Sequence, residues 1–135
     1  MSKEKFQIVR KGRDTDMEIP KIFESEYRFC EILWENEPIS SSELVRLCNE
    51  KLEWKKSTTY TVIRRLSERG ILKSEDAVVT SLVSKEDVQS AESAEVVERT
   101  FSGSLPSFIA AFTRKKNLSK QEIDEIQKII DTYKG

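Results

Sequence analysis

Proline and glycine punctuation constrains this chain more than any other feature. Pro20, Pro38, Gly70 and Gly103 divide 135 residues into short segments, and each segment has to complete its own secondary structure between breakers. From Glu24 to Glu35, the apolar residues Tyr27, Cys30, Ile32, Leu33 and Trp34 are spaced for one helical face. Glu24 and Glu26 lie in the first turn, beside the positive end of the helix dipole. Pro38-Ile39 ends this helix. Ser40 or Ser41 can cap the next one, and Glu43 stands three residues after Ser40, as a capping box requires. That second helix, Ser42 to Lys51, turns Leu44, Val45, Leu47 and Cys48 inward.

Trp54 sits in a short link, and Ser57 is the expected cap of a third helix from Thr58 to Arg69 with a buried stripe of Val62, Ile63 and Leu66. Gly70 follows where a left-handed residue closes a helix. A strand over Ile71-Leu72-Lys73, a turn over Ser74-Glu75-Asp76 and a second strand from Ala77 to Leu82 complete a hairpin. Three helices followed by a small hairpin is the order of a winged helix-turn-helix.

The remaining chain is helical. Ser84 caps a helix to Phe101 with Val88, Ala91, Ala94 and Val97 on its stripe, and Ser102-Gly103-Ser104 breaks it. Leu105 to Lys115 follows, and Ser119 with Glu122 caps a last helix to Tyr133 carrying Ile123, Ile126, Ile129 and Ile130. Val97, Phe101, Leu105, Phe108, Ile109, Phe112, Ile126 and Ile130 exceed what one short pair of helices can cover. An isologous dimer would bury them; the alternative is packing against the N-terminal domain of the same chain. The expected fold is therefore mainly α with a small β-hairpin: a winged helix-turn-helix domain followed by a helical dimerisation tail. The division places a basic N-terminal arm at 1–20, the winged helix at 21–83 and the dimerisation region at 84–135.

Composition narrows the function. The chain holds no His, which removes the commonest general base and every Ser-His or Cys-His nucleophile pair. Two Cys alone cannot complete a four-coordinate structural zinc site. Cys30 and Cys48 lie on apolar stripes and read as small core residues. No enzyme, metal or cofactor is expected. No apolar run approaches the roughly 18 residues that span a bilayer, and the start, MSKEKFQIVRKGR, lacks the apolar core of a secretory signal. A soluble, cytoplasmic protein without membrane insertion is expected.

Charge points to the partner. The net charge is −1, yet residues 55 to 73 hold Lys55, Lys56, Arg64, Arg65, Arg69 and Lys73 against Glu68 alone. A basic stretch in a mildly acidic protein is what a nucleic-acid footprint looks like, although charge alone more often marks a solvated helix face that balances acidic neighbours. In a helix-turn-helix the start of the second helix meets base edges. Here that start is Lys56, Ser57, Thr58, Thr59, Tyr60 and Thr61, hydroxyls that can bond bases or phosphates. Helix amides attract phosphate at the same end. Arg64 and Arg65, one turn on, suit backbone phosphates, which set affinity rather than sequence.

The stretches SEYRFCEILWENEPISSSELV (25–45), STTYTVIRRLSERGIL (57–72), TFSGSLPSFIAAF (100–112) and LSKQEIDEIQKII (118–130) resemble the penicillinase repressor family, winged-helix regulators of β-lactamase and methicillin-resistance genes with copper-transport repressors as relatives. The resemblance covers residues 19 to 133. It implies a homodimer that binds a dyad-symmetric, double-stranded operator and controls a resistance or stress operon, with half-sites about 34–36 Å apart or a multiple of that. It places Thr58, Thr59, Tyr60, Thr61 and Arg65 in the recognition helix. In the drug-resistance members a sensor-linked protease cuts the penultimate helix between Asn and Phe; that Phe matches Phe112, and Ala111 stands in place of the Asn. Copper-responsive relatives carry a C-terminal cysteine cluster, which this tail lacks. The wing also departs from the pattern: it is short and holds Glu75 and Asp76, where the family has basic and aromatic residues. The longer basic arm, with Lys3, Lys5, Arg10, Lys11 and Arg13, is expected to offset the wing by reaching DNA. A second reading, a winged helix whose third helix docks a protein, draws on that acidic wing.

Overall fold

The computed structural model describes residues 18–134. Residues 1–17 of the N-terminal arm, with the basic residues expected to reach DNA, lie outside the described residues. The elements run α1 (Glu24–Asn36), β1 (Ile39–Ser40), α2 (Ser41–Leu52), α3 (Lys56–Glu68), β2 (Leu72–Glu75), β3 (Val78–Ser81), α4 (Lys85–Phe101), α5 (Leu105–Lys115) and α6 (Lys120–Lys134). This is a mainly helical winged helix followed by a helical tail. The chain divides into two compact units between Glu92 and Ser93, inside α4.

In the first unit α1, α2, α3, the sheet and the start of α4 close over one core. Its fully buried members include Phe29, Cys30, Leu33, Leu44, Cys48, Leu66, Ile71, Leu72, Val79 and Val88. Phe29 was not on the stripe read from α1, yet it is central. Its ring stacks on Trp54 at 6.0 Å, tying α1 to the α2–α3 link. Both cysteines are buried, and burial pushes the Cys30 thiol up to about 12 and the Cys48 thiol to about 11. They are neutral packing groups at ordinary pH.

Local capping sets the helix ends. The Glu43 amide donates to Ser40 Oγ at 3.1 Å, but the Glu43 carboxylate holds Arg46 instead of completing the box. The Asp87 amide donates to Ser84 Oγ at 3.0 Å, as the sequence predicts. At α6 the box is reciprocal: Ser119 N–H donates to Glu122 Oε1 and Glu122 N–H to Ser119 Oγ, both at 3.0 Å. Ser57 is not the cap of α3. The helix starts earlier, at Lys56, because the Thr58 and Thr59 amides already close onto the Lys55 carbonyl at 3.0 and 3.2 Å. Gly70, at φ +79, ends α3 in a Schellman motif, with Ile71 N–H donating to the Leu66 carbonyl and Gly70 N–H to that of Ser67. The buried pair Leu66 and Ile71 supplies its apolar contact.

The expected hairpin is the larger part of a three-stranded antiparallel sheet in the order β1-β3-β2. The added strand is two residues long and pairs Ile39 with Val79 and Ser40 with Val78. So brief a pairing leaves no alternating pattern to read. The turn also differs from expectation. Glu75 pairs with Val78, so Asp76 and Ala77 alone form the loop, at φ 52 and φ 64. A two-residue loop whose central residues both have positive φ matches the twist of the strands. An alanine there carries a steric penalty that glycine does not. Ala77→Gly is expected to stabilise the protein by about 1 kcal/mol, raising Tm by about 5 °C in a thermal melt. An unchanged or lowered Tm would contradict that account of the turn.

Two long-range contacts fasten the sheet to α1. Trp34 Nε1 donates to the Val83 carbonyl at 3.0 Å. The Glu37 carboxylate accepts from the Ser81 amide and hydroxyl at 2.6 and 2.9 Å. In the second unit, described by itself, Phe101 meets Phe108 edge-on at 5.5 Å and Phe108 lies against Phe112 at 6.3 Å. None of the described residues from 93 onward is buried. Among the described residues no helix is long and apolar enough to cross a membrane.

Candidate nucleic-acid interface

The angle between α2 and α3 is set by a three-residue link. Glu53 adopts a left-handed conformation, φ 59, and its amide donates to the Asn49 carbonyl at 3.1 Å. Asn49 Nδ2 then reaches over the link to the Trp54 carbonyl at 3.1 Å. Trp54 packs its ring on Phe29. Asn49 and Trp54 are thus the residues that aim α3, a role that the sequence reading did not give them. The only signal was an aromatic in a short polar link.

α3 has two faces. Thr59, Val62, Ile63 and Leu66 are buried against the core. Lys56, Ser57, Thr58, Tyr60, Arg64 and Arg65 are exposed, with Lys55 at the cap and Thr61 half-buried beside them. The spacing explains this: positions 57, 60, 61 and 64 recur every three or four residues on one side of the helix. No side chain caps α3; the Thr58 and Thr59 amides close onto the Lys55 carbonyl, which leaves the Lys56 and Ser57 amides beside the two lysines and the hydroxyl cluster. The result is a donor-rich, positively charged helix end, with no carboxylate on α3 until Glu68. It can contact phosphate through amides and cations and base edges through hydroxyls.

The structure corrects one proposed contact. Thr59 is 0% exposed, so its side chain cannot reach a ligand on the outer face. Its hydroxyl meets only the buried Cys48 thiol, a weak partner, and makes no hydrogen bond of ordinary geometry. The hydroxyl-rich run of residues 57 to 61 looked uniform in sequence; helical geometry separates Thr59 from its neighbours.

Arg69, counted within the basic stretch, serves the fold instead. Its Nη1 lies 2.8 Å from Glu26 Oε2 and its Nη2 lies 3.1 Å from Oε1. Nη2 also donates to the Lys21 carbonyl, and the guanidinium sits over the Phe23 ring at 5.6 Å. Burial raises the Glu26 carboxyl, but the Arg69 hydrogen bonds, the Phe23 amide and the charges of Arg69 and Arg65 outweigh it, leaving the group below its ordinary value. Lys73 is exposed on β2, with Nζ 3.7 Å from Glu75 Oε1.

A family model described as penicillinase repressor matches residues 22–132. The chain belongs to the penicillinase repressor family. It is 25% identical over 121 residues to a penicillinase repressor of Bacillus licheniformis, covering 87% of this chain and 94% of that one. It is 25% identical over 115 residues to the methicillin resistance regulatory protein MecI of Staphylococcus aureus, 82% of this chain and 94% of the relative. A Staphylococcus aureus penicillinase repressor is 24% identical over 111 residues, 79% and 88%. The match spans both units of this member of the family, the helix-turn-helix and the tail alike.

Proposed function

We propose that this family member is a homodimeric transcriptional repressor that recognises a dyad-symmetric operator through α3. The observation that carries the reading is the outer face of α3: cations and hydroxyls together on one side, set by a three-residue link, in a chain whose residues 22–132 match the penicillinase repressor family. Tyr60, Thr58, Ser57 and Thr61 would meet base edges or adjacent phosphates. Lys55, Lys56, Arg64, Arg65 and Lys73 would hold the backbone. The names of its relatives suggest a resistance operon as the target.

The tail supports the dimer. A unit in which no described residue from 93 onward is buried gains little stability alone. Leu105, Ile109, Phe112, Ile126 and Ile130 are each at least 38% exposed, and Val97, Phe101 and Phe108 are half-buried beside them. A second copy of the same surface covers them in an isologous contact. Release would follow from scission of the tail by a sensor-linked protease. A cut between Ala111 and Phe112 severs α5 and detaches α6, so it would separate the protomers. A fragment ending at Ala111 in induced cells is the observation to seek, and Ala111 in place of Asn sets the specificity that such a protease needs.

The test is fluorescence anisotropy on the intergenic DNA upstream of the gene, over a salt series. The parent chain is expected to bind with a steep negative salt slope and two protomers per site. Thr58→Ala with Tyr60→Ala should weaken binding by about 10- to 100-fold, the worth of one or two base contacts. Thr59→Val is the internal control. It removes a buried hydroxyl without a proper partner, so it should leave affinity unchanged and stabilise the fold by about 1 kcal/mol. Weak, salt-insensitive binding by the parent would favour the protein-docking reading, which the acidic wing suggests.

A further inference from the structure

The wing holds a single cation beside two carboxylates. From residues 71 to 84 the only cation is Lys73, and the only anions are Glu75 and Asp76. β2 leaves α3 directly through the Gly70 motif and packs beside it, so Lys73 is the residue with which the wing could hold a phosphate. Lys73 and Glu75 are two apart on one strand, and side chains at that spacing share a face of the sheet. Lys73 Nζ reaches Glu75 Oε1 at 3.7 Å, with the two side chains 54% and 73% exposed. The tight loop at Asp76–Ala77 adds a second carboxylate next to the pair.

We infer that Glu75 is an attenuator of DNA affinity built into the wing: it occupies the Lys73 ammonium in competition with a backbone phosphate. The inference rests on the DNA-binding reading of α3. Exposed ion pairs are weak and readily exchanged. Glu75 therefore does not block the contact outright; DNA has to displace it, and the carboxylate left behind then faces the phosphate. The consequence is a repressor whose affinity is set by α3 with little help from its wing. Such a complex dissociates on a modest perturbation. The device is local, because charges at the surface are screened beyond about 8 Å at physiological salt.

The experiment is a four-way comparison of the full chain, Glu75→Gln, Lys73→Met and the double variant on the same DNA across a salt series. Glutamine keeps the shape and β-position of residue 75 and removes only its charge. Glu75→Gln is expected to bind about fivefold tighter at low salt, with the slope of log affinity against log salt steeper by at most about 0.9, as a Lys73–phosphate contact that is only partly made in the parent becomes complete. In the Lys73→Met background the same substitution should give less than a twofold gain and no change of slope. Equal affinity and slope for Glu75→Gln and the parent would overturn the inference. A full gain that persists without Lys73 would overturn it too, since Glu75 would then act by simple repulsion. Absence of salt-dependent binding by the parent would fell the DNA-binding reading, and this one with it. A circular dichroism melt of each variant separates a loss of binding from a loss of fold.

Discussion

Ile126→Asp with Ile130→Asp is expected to give a chain that sediments as a monomer and binds its operator at least about a hundredfold more weakly. The reasoning starts from exposure. Ile126 and Ile130 are 38% and 47% exposed within one protomer, so carboxylates there cost the isolated chain little. Across a dimer contact they would place four carboxylates in an apolar interface, where unpaired charge is strongly disfavoured. The effect on DNA follows from linkage. Two tethered recognition helices see each other's half-site at an effective concentration in the millimolar range, and a monomer forfeits that advantage entirely. Sedimentation velocity and anisotropy on the same samples check both halves. A dimer that survives the double substitution would place its interface away from α6, and a monomer that binds as tightly as the parent would sever the link between dimer and operator.

Arg69→Ala is expected to lower stability by about 2 kcal/mol, or about 10 °C in Tm. The pair is partly solvated on the Arg69 side, where 31% of the side chain is exposed, but only 10% of Glu26 is. Loss of the guanidinium leaves a carboxylate in the core with the Phe23 amide as its remaining hydrogen bond. The pH dependence tests the cause. Glu26 titrates below its ordinary value of 4.5 in the folded protein. Its contribution is therefore complete above 4.5 and is lost as the pH falls through the lowered folded value. In Arg69→Ala, burial becomes the dominant influence on the carboxyl, so that acid-side loss should disappear. Thermal melts of both proteins from pH 3 to 7 decide the matter: parallel pH profiles would show that Glu26 does not carry the effect. DNA affinity under conditions where both stay folded should be nearly unchanged, because Arg69 belongs to the fold and not to the outer face of α3.

Both expectations depend on distinctions that the sequence presents unequally. The order of helices and the two main wing strands was legible because each is bounded by a local signal. Ser40, Ser84 and Ser119 cap helices through bonds to residues only three positions away, and Gly70 closes α3 through its own backbone freedom. The third strand was not legible, since two residues carry no period. The wing turn was expected two residues early at its start and one at its end, because Ala77 is a poor candidate for positive φ. It holds that conformation because strand pairing on both sides requires it. Residues 55 to 73 were readable as a stretch of cations and hydroxyls, but which of them stay on the surface was not. Thr59 faces inward and Arg69 is engaged by Glu26, 43 positions earlier in the chain.

Local signals in the chain fix the helices, the two longer strands and the chemistry that α3 presents. Capping, helical spacing and charge content are properties of neighbours within about one turn, and neighbours are what a sequence displays. Which of those groups remain free to act is a matter of packing between distant segments. Trp54 on Phe29 aims α3, Glu26 withdraws Arg69 from the basic surface, and Cys48 shares the core with Thr59. Each of these depends on a contact between segments that packing alone brings together.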